Sequence, residues 1–220
     1  MARRLSKVDC TWTSELAYVV GIFTSDGNLS SDGRHLNITS KDKEMIMTAR
    51  SLLNLSNVIG TKSREVGSER RYYTLQFGDI HFYEFLVSIG LHPAKSKTLT
   101  KILIPQCYFI DFLRGCIDGD GCIDSFIHPE SSKPQIRVRL ASASPLFLKW
   151  MLNEIRLRIG ITGGFIVGSK SSSVASLVFA KADSLKLLRC LYYSNTIPAL
   201  ERKRIIALEL LDKNSVATMR

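Results

Sequence analysis

Leu113-Arg114-Gly115-Cys116-Ile117-Asp118-Gly119-Asp120-Gly121 decides how the chain is read. An apolar helix is expected from Tyr108 to Ile117, running into a double Asp-Gly step and then a strand-like Cys122-Ile123. The same shape occurs earlier, in Val19-Val20-Gly21-Ile22-Phe23-Thr24-Ser25-Asp26-Gly27 followed by Asn28-Leu29. Gly115, Asp120 and Gly121 each lie 94 residues after Gly21, Asp26 and Gly27. One unit is therefore present twice, and each copy ends its helix on a carboxylate. Glycine in mid-helix costs propensity and is kept where another helix must come close. Gly21 and Gly115 would let the two helices pack backbone against backbone, while Gly27 and Gly121 suit a positive-φ turn from helix to strand. Pairing the helices would bring Asp26 and Asp120 together, and two close carboxylates call for a cation between them. A single Asp-Gly would be no more than a solvated helix end; two copies in the same setting are not.

On these residues the chain resembles the LAGLIDADG homing endonuclease family in its single-chain form with two motifs. LRGCIDGDG matches the motif closely, whereas VVGIFTSDG carries Thr24 at the usual first acid and Ser25 where Gly or Ala is common. The resemblance implies an α+β fold of two pseudo-symmetric αββαββα halves. They would pack through paired motif helices, with two antiparallel sheets forming a DNA-binding saddle. The repeat places the halves at 1–103, including a linker, and 104–220.

Length and composition agree with this organisation. The chain has 220 residues, enough for one large domain or two of about 100 residues each. It carries 30 Lys and Arg against 20 Asp and Glu, a net charge of +10 that points to a polyanionic partner. No run of 18 apolar residues occurs, so no membrane span and no membrane partner are expected. Met1-Ala2-Arg3-Arg4-Leu5 is basic without a signal peptide's apolar stretch, and the Cys or Ser start and His-Asn end of an intein are missing. Five cysteines, an odd number with no C-x-x-C, point to a reducing intracellular compartment and no zinc site. Neither H-E-x-x-H nor a P-loop is present, which disfavours a zinc hydrolase and an ATP-driven enzyme.

In chain order, Thr13 or Ser14 caps a helix to about Ser25. A hairpin follows over Asn28–Asp32 and Arg34–Ser40, then an amphipathic helix from Lys41, a second hairpin over Val58–Val66 and Arg70–Phe77, and a helix over Ile80–Ile89. The second half repeats this order. Hairpin strands are expected at Cys122–Ile127 and Gln135–Ser142, and at Thr162–Lys170 and Val174–Ala180. Helices are expected from Ser144-Pro145 to Gly160, over Ser184–Tyr193 capped by Asp183, and over Pro198–Leu211.

Gln135-Ile136-Arg137-Val138-Arg139-Leu140 alternates strictly, placing Gln135, Arg137 and Arg139 on one sheet face. Arg reads guanine and Gln reads adenine in the major groove, and both also meet phosphates. Tyr72, Thr74 and Gln76 form the corresponding row in the first half. Arg34, Asn37, Lys62, Arg64, Arg70 and Lys170 complete the set expected to face double-stranded DNA. A polar alternating face is also what any solvated antiparallel sheet shows; the excess charge and the two equivalent sheets favour DNA.

Hydrolysis of a phosphodiester needs an activated water and neutralised charge, which metal ions held by clustered acids supply. Asp26 and Asp120 are the acid pair placed by the repeat, and hard oxygen donors with incomplete protein coordination suit Mg²⁺, two or three ions at the base of the helix pair. The resemblance adds the carbonyls of Ser25 and Gly119 as ligands. It adds one lysine per half near the scissile phosphates: Lys203, and Lys95 with Lys97 as the alternative. It also marks Ser40 and Ser142 as positions that orient water. The expected function is site-specific double-strand cleavage at a long, non-palindromic target by a monomer without an obligate protein partner. An RNA-binding intron maturase on the same fold is the alternative, and a cleavage-dead DNA-binding regulator is disfavoured by the retained acids and lysines.

Overall fold

In the computed structural model, which describes residues 7–63, 71–127, 129, 134–168 and 173–215, the first motif helix α1 (Ser14–Ser25) starts at Thr13. The Thr13 hydroxyl accepts the Leu16 amide at 3.1 Å, satisfying one of the orphan N–H groups of the first turn. Leu16 through Thr24 are all buried, so this helix is apolar on every side because it is covered on every side. It is followed by β1 (Gly27–Leu29), β2 (His35–Ser40), α2 (Lys43–Leu52), β3 (Ile59–Ser63), β4 (Arg71–Gly78) and α3 (Ile80–Ser88). The second copy runs α4 (Phe109–Asp120), β5 (Gly121–Ile127), β6 (Pro134–Ser142), α5 (Pro145–Ile159), β7 (Phe165–Gly168), β8 (Ala175–Phe179) and α6 (Lys181–Leu191), with α7 (Glu201–Ser215) added. Each copy builds one four-stranded antiparallel sheet, ordered β1-β2-β4-β3 and β5-β6-β8-β7.

By compactness the chain forms two units, Met1–Lys95 with Ile102–Gly119, and Ser96–Lys101 with Asp120–Arg220. The repeat puts a boundary at 103/104, but packing counts α4 with the first unit, because α1 and α4 meet through their glycines. A Cβ on Gly21 would lie 2.2 Å from the Phe112 carbonyl oxygen, and one on Gly115 would lie 2.1 Å from that of Tyr18. Only glycine permits that approach. In the first unit α2 covers β2 and β4. An aromatic cluster, Phe23 against Phe82 at 5.5 Å and Phe77 at 6.3 Å between ring centres, joins α1 to the sheet. Asp79 caps α3 by accepting the Phe82 amide, and its other oxygen takes the amides of Lys7 and Val8, tying the N-terminal segment down.

In the second unit α5 and α6 cover β6 and β8. Ser144 caps α5 with Pro145 in its first turn, and Gly160 ends it in the left-handed region at φ 69°, as the sequence implies. Ser184 is fully buried. Its hydroxyl accepts the Val138 amide and donates to the Phe179 carbonyl, both at 2.9 Å, stitching α6 to the sheet.

Several local expectations change. The second motif helix runs to Asp120 instead of ending at Ile117, held by the buried bond from Tyr18 to Asp118 at 2.9 Å. Among the described residues the positive-φ glycines are Gly33, Gly90, Gly160 and Gly164, and neither Gly27 nor Gly121 is one of them. Gly27 is required for space, since its Cβ would sit 2.4 Å from the Phe23 ring. β1 stops at Leu29, because Asp32 forms a turn in which one carboxylate oxygen accepts the Arg34 and His35 amides. β7 begins at Phe165. α6 begins at Lys181 with Ala180 at its cap position, so Asp183 lies in its first turn and caps nothing at Ser184. The last helix starts at Glu201 and reaches Ser215; Arg204 reaches back to the Ile197 carbonyl and holds the Pro198 segment outside it.

Candidate active site and nucleic-acid interface

The ends of the motif helices carry the same arrangement twice. In the first unit the Asp26 amide bonds the Ile22 carbonyl at 2.8 Å, finishing α1, and the Asp26 carbonyl accepts from Thr39 at 3.3 Å. Asp26 is half-buried. Lys95, only 6% exposed, sends its ammonium to the carbonyl oxygen of Gly27, the next residue. In the second unit Lys203, 4% exposed, donates to the carbonyl of Gly121 at 2.7 Å, and Gly121 follows Asp120. These lysines come from unrelated elements, a 3-10 turn (Lys95–Lys97) and the first turn of α7. Burying an ammonium is costly, and here it is done at two equivalent positions one residue past a motif acid. Lys97, in the same 3-10 turn as Lys95, is exposed.

Gly119 brings the second motif's backbone against the first acid. A Cβ there would fall 1.9 Å from the Ser25 hydroxyl and 2.7 Å from a carboxylate oxygen of Asp26. The Ser25 hydroxyl itself bonds the carbonyls of Gly21 and Ile22 at 3.2 and 3.1 Å. Asp120, exposed, is the following residue. Among the described residues no group of three or more His, Cys, Asp or Glu side chains is arranged to hold a metal ion. Any ion would have to complete its shell with carbonyls, water or a ligand. Ser40 and Ser142 close β2 and β6 at matching positions, and each hydroxyl accepts the amide two residues on, at 3.2 and 3.1 Å. All five cysteines are free thiols. Burial pushes the Cys10 thiol up to about 11, with Asp79 and Asp9 adding to it.

The helix pair also contains a polar cluster that its apolar pattern hides. Arg114 is fully buried, ion-paired to Asp111 at 2.7 Å and stacked 5.4 Å from the Tyr18 ring centre. Tyr18 in turn donates to Asp118. Ala94, immediately before Lys95, adopts φ 56°, a strained conformation for a residue with a Cβ. Neither feature has a sequence signal, since both depend on which backbone a side chain meets.

The open faces of the two sheets take up the polar rows. In the first, the register sets Asn28 beside Asn37 and Asn37 beside Gln76, with Thr39 beside Thr74 and Lys62 beside Tyr72. Gln76 and Lys62 are exposed, while Thr74 is buried with its hydroxyl on Thr39 and the Ile38 carbonyl. Lys41, not singled out from sequence, lies over the Tyr72 ring at 5.6 Å. Arg34 is exposed at the hairpin tip, one residue out of phase with His35 and Asn37. In the second sheet, Gln135, Arg137 and Arg139 alternate with buried Ile136, Val138 and Leu140. Arg137 stacks 4.3 Å from the Phe126 ring centre, and Arg139 pairs with Asp124 at 3.2 Å. Burial works against the Arg139 charge, but Asp124 and Cys122 outweigh it and hold the guanidinium's pKa above its usual range. Arg64, Arg70 and Lys170 lie outside the described residues.

Residues 13–90 match the family model described as the LAGLIDADG-like domain. Those residues are a LAGLIDADG-like domain. Over the described residues the chain has the two-domain LAGLIDADG fold. It is similar to the structure of the I-LtrWI LAGLIDADG homing endonuclease bound to target DNA, at a TM-score of 0.59 and 11% identity over 92% of this chain and 91% of that one. The structure of I-DmoI in complex with DNA and Mn gives 0.55 and 18%, over 83% and 98%. Full-length DUF199/WhiA from Thermatoga maritima gives 0.52 and 14%, over 94% and 69%. At these identities the likeness is one of LAGLIDADG fold. A comparison with curated proteins found no match. No helix among the described residues is long and apolar enough to cross a membrane.

Proposed function

We propose that this LAGLIDADG protein is a site-specific endonuclease that hydrolyses both strands of duplex DNA, acting as a monomer at a long, non-palindromic target. The observation that carries the reading is the duplicated placement of a buried lysine on the carbonyl next to a motif acid: Lys95 at Gly27 beside Asp26, and Lys203 at Gly121 beside Asp120. Two strand cleavages need two such centres, and burying two ammonium groups has no evident benefit for the fold alone. We assign Lys95, not Lys97, to the first centre.

The donor set fits a hard divalent ion. Asp26 and Asp120 supply carboxylates, Ser25 and Gly119 supply carbonyls, and Mg²⁺ keeps waters and shares phosphate oxygens, so a full protein cage is not required. When bound, such ions neutralise the phosphate and lower the pKa of the attacking water. The protein's own groups do the rest. Lys95 and Lys203 hold positive charge where the pentacovalent phosphate becomes more negative. Ser40 and Ser142 present hydroxyls at the strand ends nearest the acids, and the sheet faces hold the duplex. Asn37, Lys62, Tyr72 and Gln76 serve this in the first half, and Gln135, Arg137 and Arg139 in the second. Thr74, buried within the same row, steadies it through the Thr39 hydroxyl and the Ile38 carbonyl. Likeness to DNA-bound endonucleases supports the reading through the fold.

Incubation with a randomised duplex library and Mg²⁺, followed by sequencing of new ends, tests it. A recurrent site cut on both strands, and uncut in the presence of EDTA, is the expected result. No recurrent cut, together with preferential binding of structured RNA, would overturn it in favour of a maturase.

A further inference from the structure

The two open faces differ in one respect that their shared topology does not require. At the outer edge of the first sheet, β3 presents Gly60 and Lys62 beside Thr74 and Tyr72. At the equivalent edge of the second, β7 presents Phe165 and Val167, 52% and 46% exposed. The register carries one row across that sheet, Phe165 to Val178 to Arg139 to Cys122, and Val167 stands beside Ser176 in the next. Val174, 40% exposed, completes the wall of a shallow groove of about 350 Å³ that Arg137 and Arg139 border on its other side. Exposed Phe and Val on an edge strand invite aggregation unless something covers them, and natural edges usually carry charge instead. Apolar side chains flanked by two arginines and little acid are complementary to a surface both anionic and locally apolar.

We propose that this strip is a specificity element that packs against the 5-methyl groups of thymines in the major groove. It lies beside base edges read by Arg137 and Arg139, so the half-site taken by the second sheet contains thymine next to guanine. The inference rests on the proposed function and adds the base chemistry of one half-site. Of the groups on the floor of the major groove, the thymine methyl is the apolar one, and it projects where a sheet face reaches. Arg139 pairs with Asp124 and Arg137 stacks on Phe126, which sets both guanidinium groups beside the strip. Among the described residues the first sheet's face of amides, hydroxyls and a lysine contains no such strip, so its half-site is read without dependence on methyl groups.

The test is a cycle on the selected duplex, measured in EDTA so that only binding is read. Each thymine is replaced singly by deoxyuridine, which removes the methyl and keeps every hydrogen-bonding group. Wild-type protein should lose about fourfold in affinity per contacted methyl in one half-site, the loss expected for one buried methyl group, and nothing in the other. Phe165→Ala and Val167→Ala, both at exposed positions, should bind the thymine duplex more weakly and show no further loss with deoxyuridine. Deoxyuridine tolerated throughout, or a penalty that persists in both variants, would overturn the inference and leave the endonuclease reading standing. Failure to select any preferred duplex would overturn both.

Discussion

Gly115→Ala tests the helix pairing on which the fold depends. The added Cβ would sit 2.1 Å from the Tyr18 carbonyl oxygen and 3.0 Å from the Gly21 Cα. Ordinary contact begins at 3.4 Å, so the helices must separate locally by roughly 1 Å, the obstacle being backbone that no rotamer change removes. Overpacking of this kind costs about 1–3 kcal/mol, and a backbone obstacle puts it at the upper end. At about 2–4 °C per kcal/mol for a chain of this size, the melting temperature should fall by roughly 6–12 °C. The Arg114–Tyr18 and Tyr18–Asp118 contacts span the same interface and would be strained with it. Because Gly119 rests on Ser25 and Asp26, the shift should reach the first acid and slow cleavage as well. Thermal unfolding by circular dichroism, alongside a cleavage assay, reads both effects. Gly168→Ala is the control, since a Cβ there meets nothing within 4 Å, and its melting temperature should not move. A Gly115→Ala protein that melts and cuts like wild type would refute the close packing of α1 on α4.

Three further outcomes follow from the site and its surroundings. Lys203→Met and Lys95→Met should each reduce single-turnover cleavage by about 10²–10³-fold, the effect of losing a preorganised charge, while leaving the melting temperature equal or higher; a large loss of stability with cleavage intact would make the lysines structural. Ala94→Gly should stabilise the protein by about 1 kcal/mol in denaturant unfolding without changing cleavage, because it releases a left-handed residue; destabilisation would show the strain is absent. The side-chain and backbone hydrogen bonds from His35, with the Arg34 amide, hold Asp32 down to about 2 from its usual 3.8. Its stabilising contribution is therefore complete above the usual value and lost as pH falls through about 2. Carbon NMR of the Asp32 carboxyl should give that low midpoint, and His35→Ala should raise it towards 3.8.

Much of this architecture is legible in the chain because it is written in periodicity. The 94-residue repeat of Gly, Asp and Gly identifies both motif helices. Strict alternation from Gln135 to Leu140 yields the face of β6, and the Ser144-Pro145 start marks its helix correctly, while of Thr13 and Ser14 it is Thr13 that caps the first. What escapes the sequence depends on three-dimensional neighbours. Nothing in the sequence marks Arg114 as buried, yet it is, because Asp111 and Tyr18 face it. Gly27 reads as a turn glycine, yet the Phe23 ring is what demands it. Lys95 is preferred over Lys97 in the sequence by the resemblance alone, and the turn of the backbone after Ala94 is what buries the first and exposes the second. The apolar edge of β7 looks like any core strand until its register places Phe165 and Val167 on the open face.

On the proposed function, Asp26 and Asp120 are the acids of two cleavage centres. The most direct measurement compares Asp26→Asn and Asp120→Asn with wild type on the selected duplex, reading binding by fluorescence anisotropy and cleavage of each labelled strand in Mg²⁺. The amides keep the shape and remove the charge, so both variants should bind the duplex nearly as wild type does and fail to make the double-strand break. Cleavage of both strands by either variant at the wild-type rate would contradict the claim.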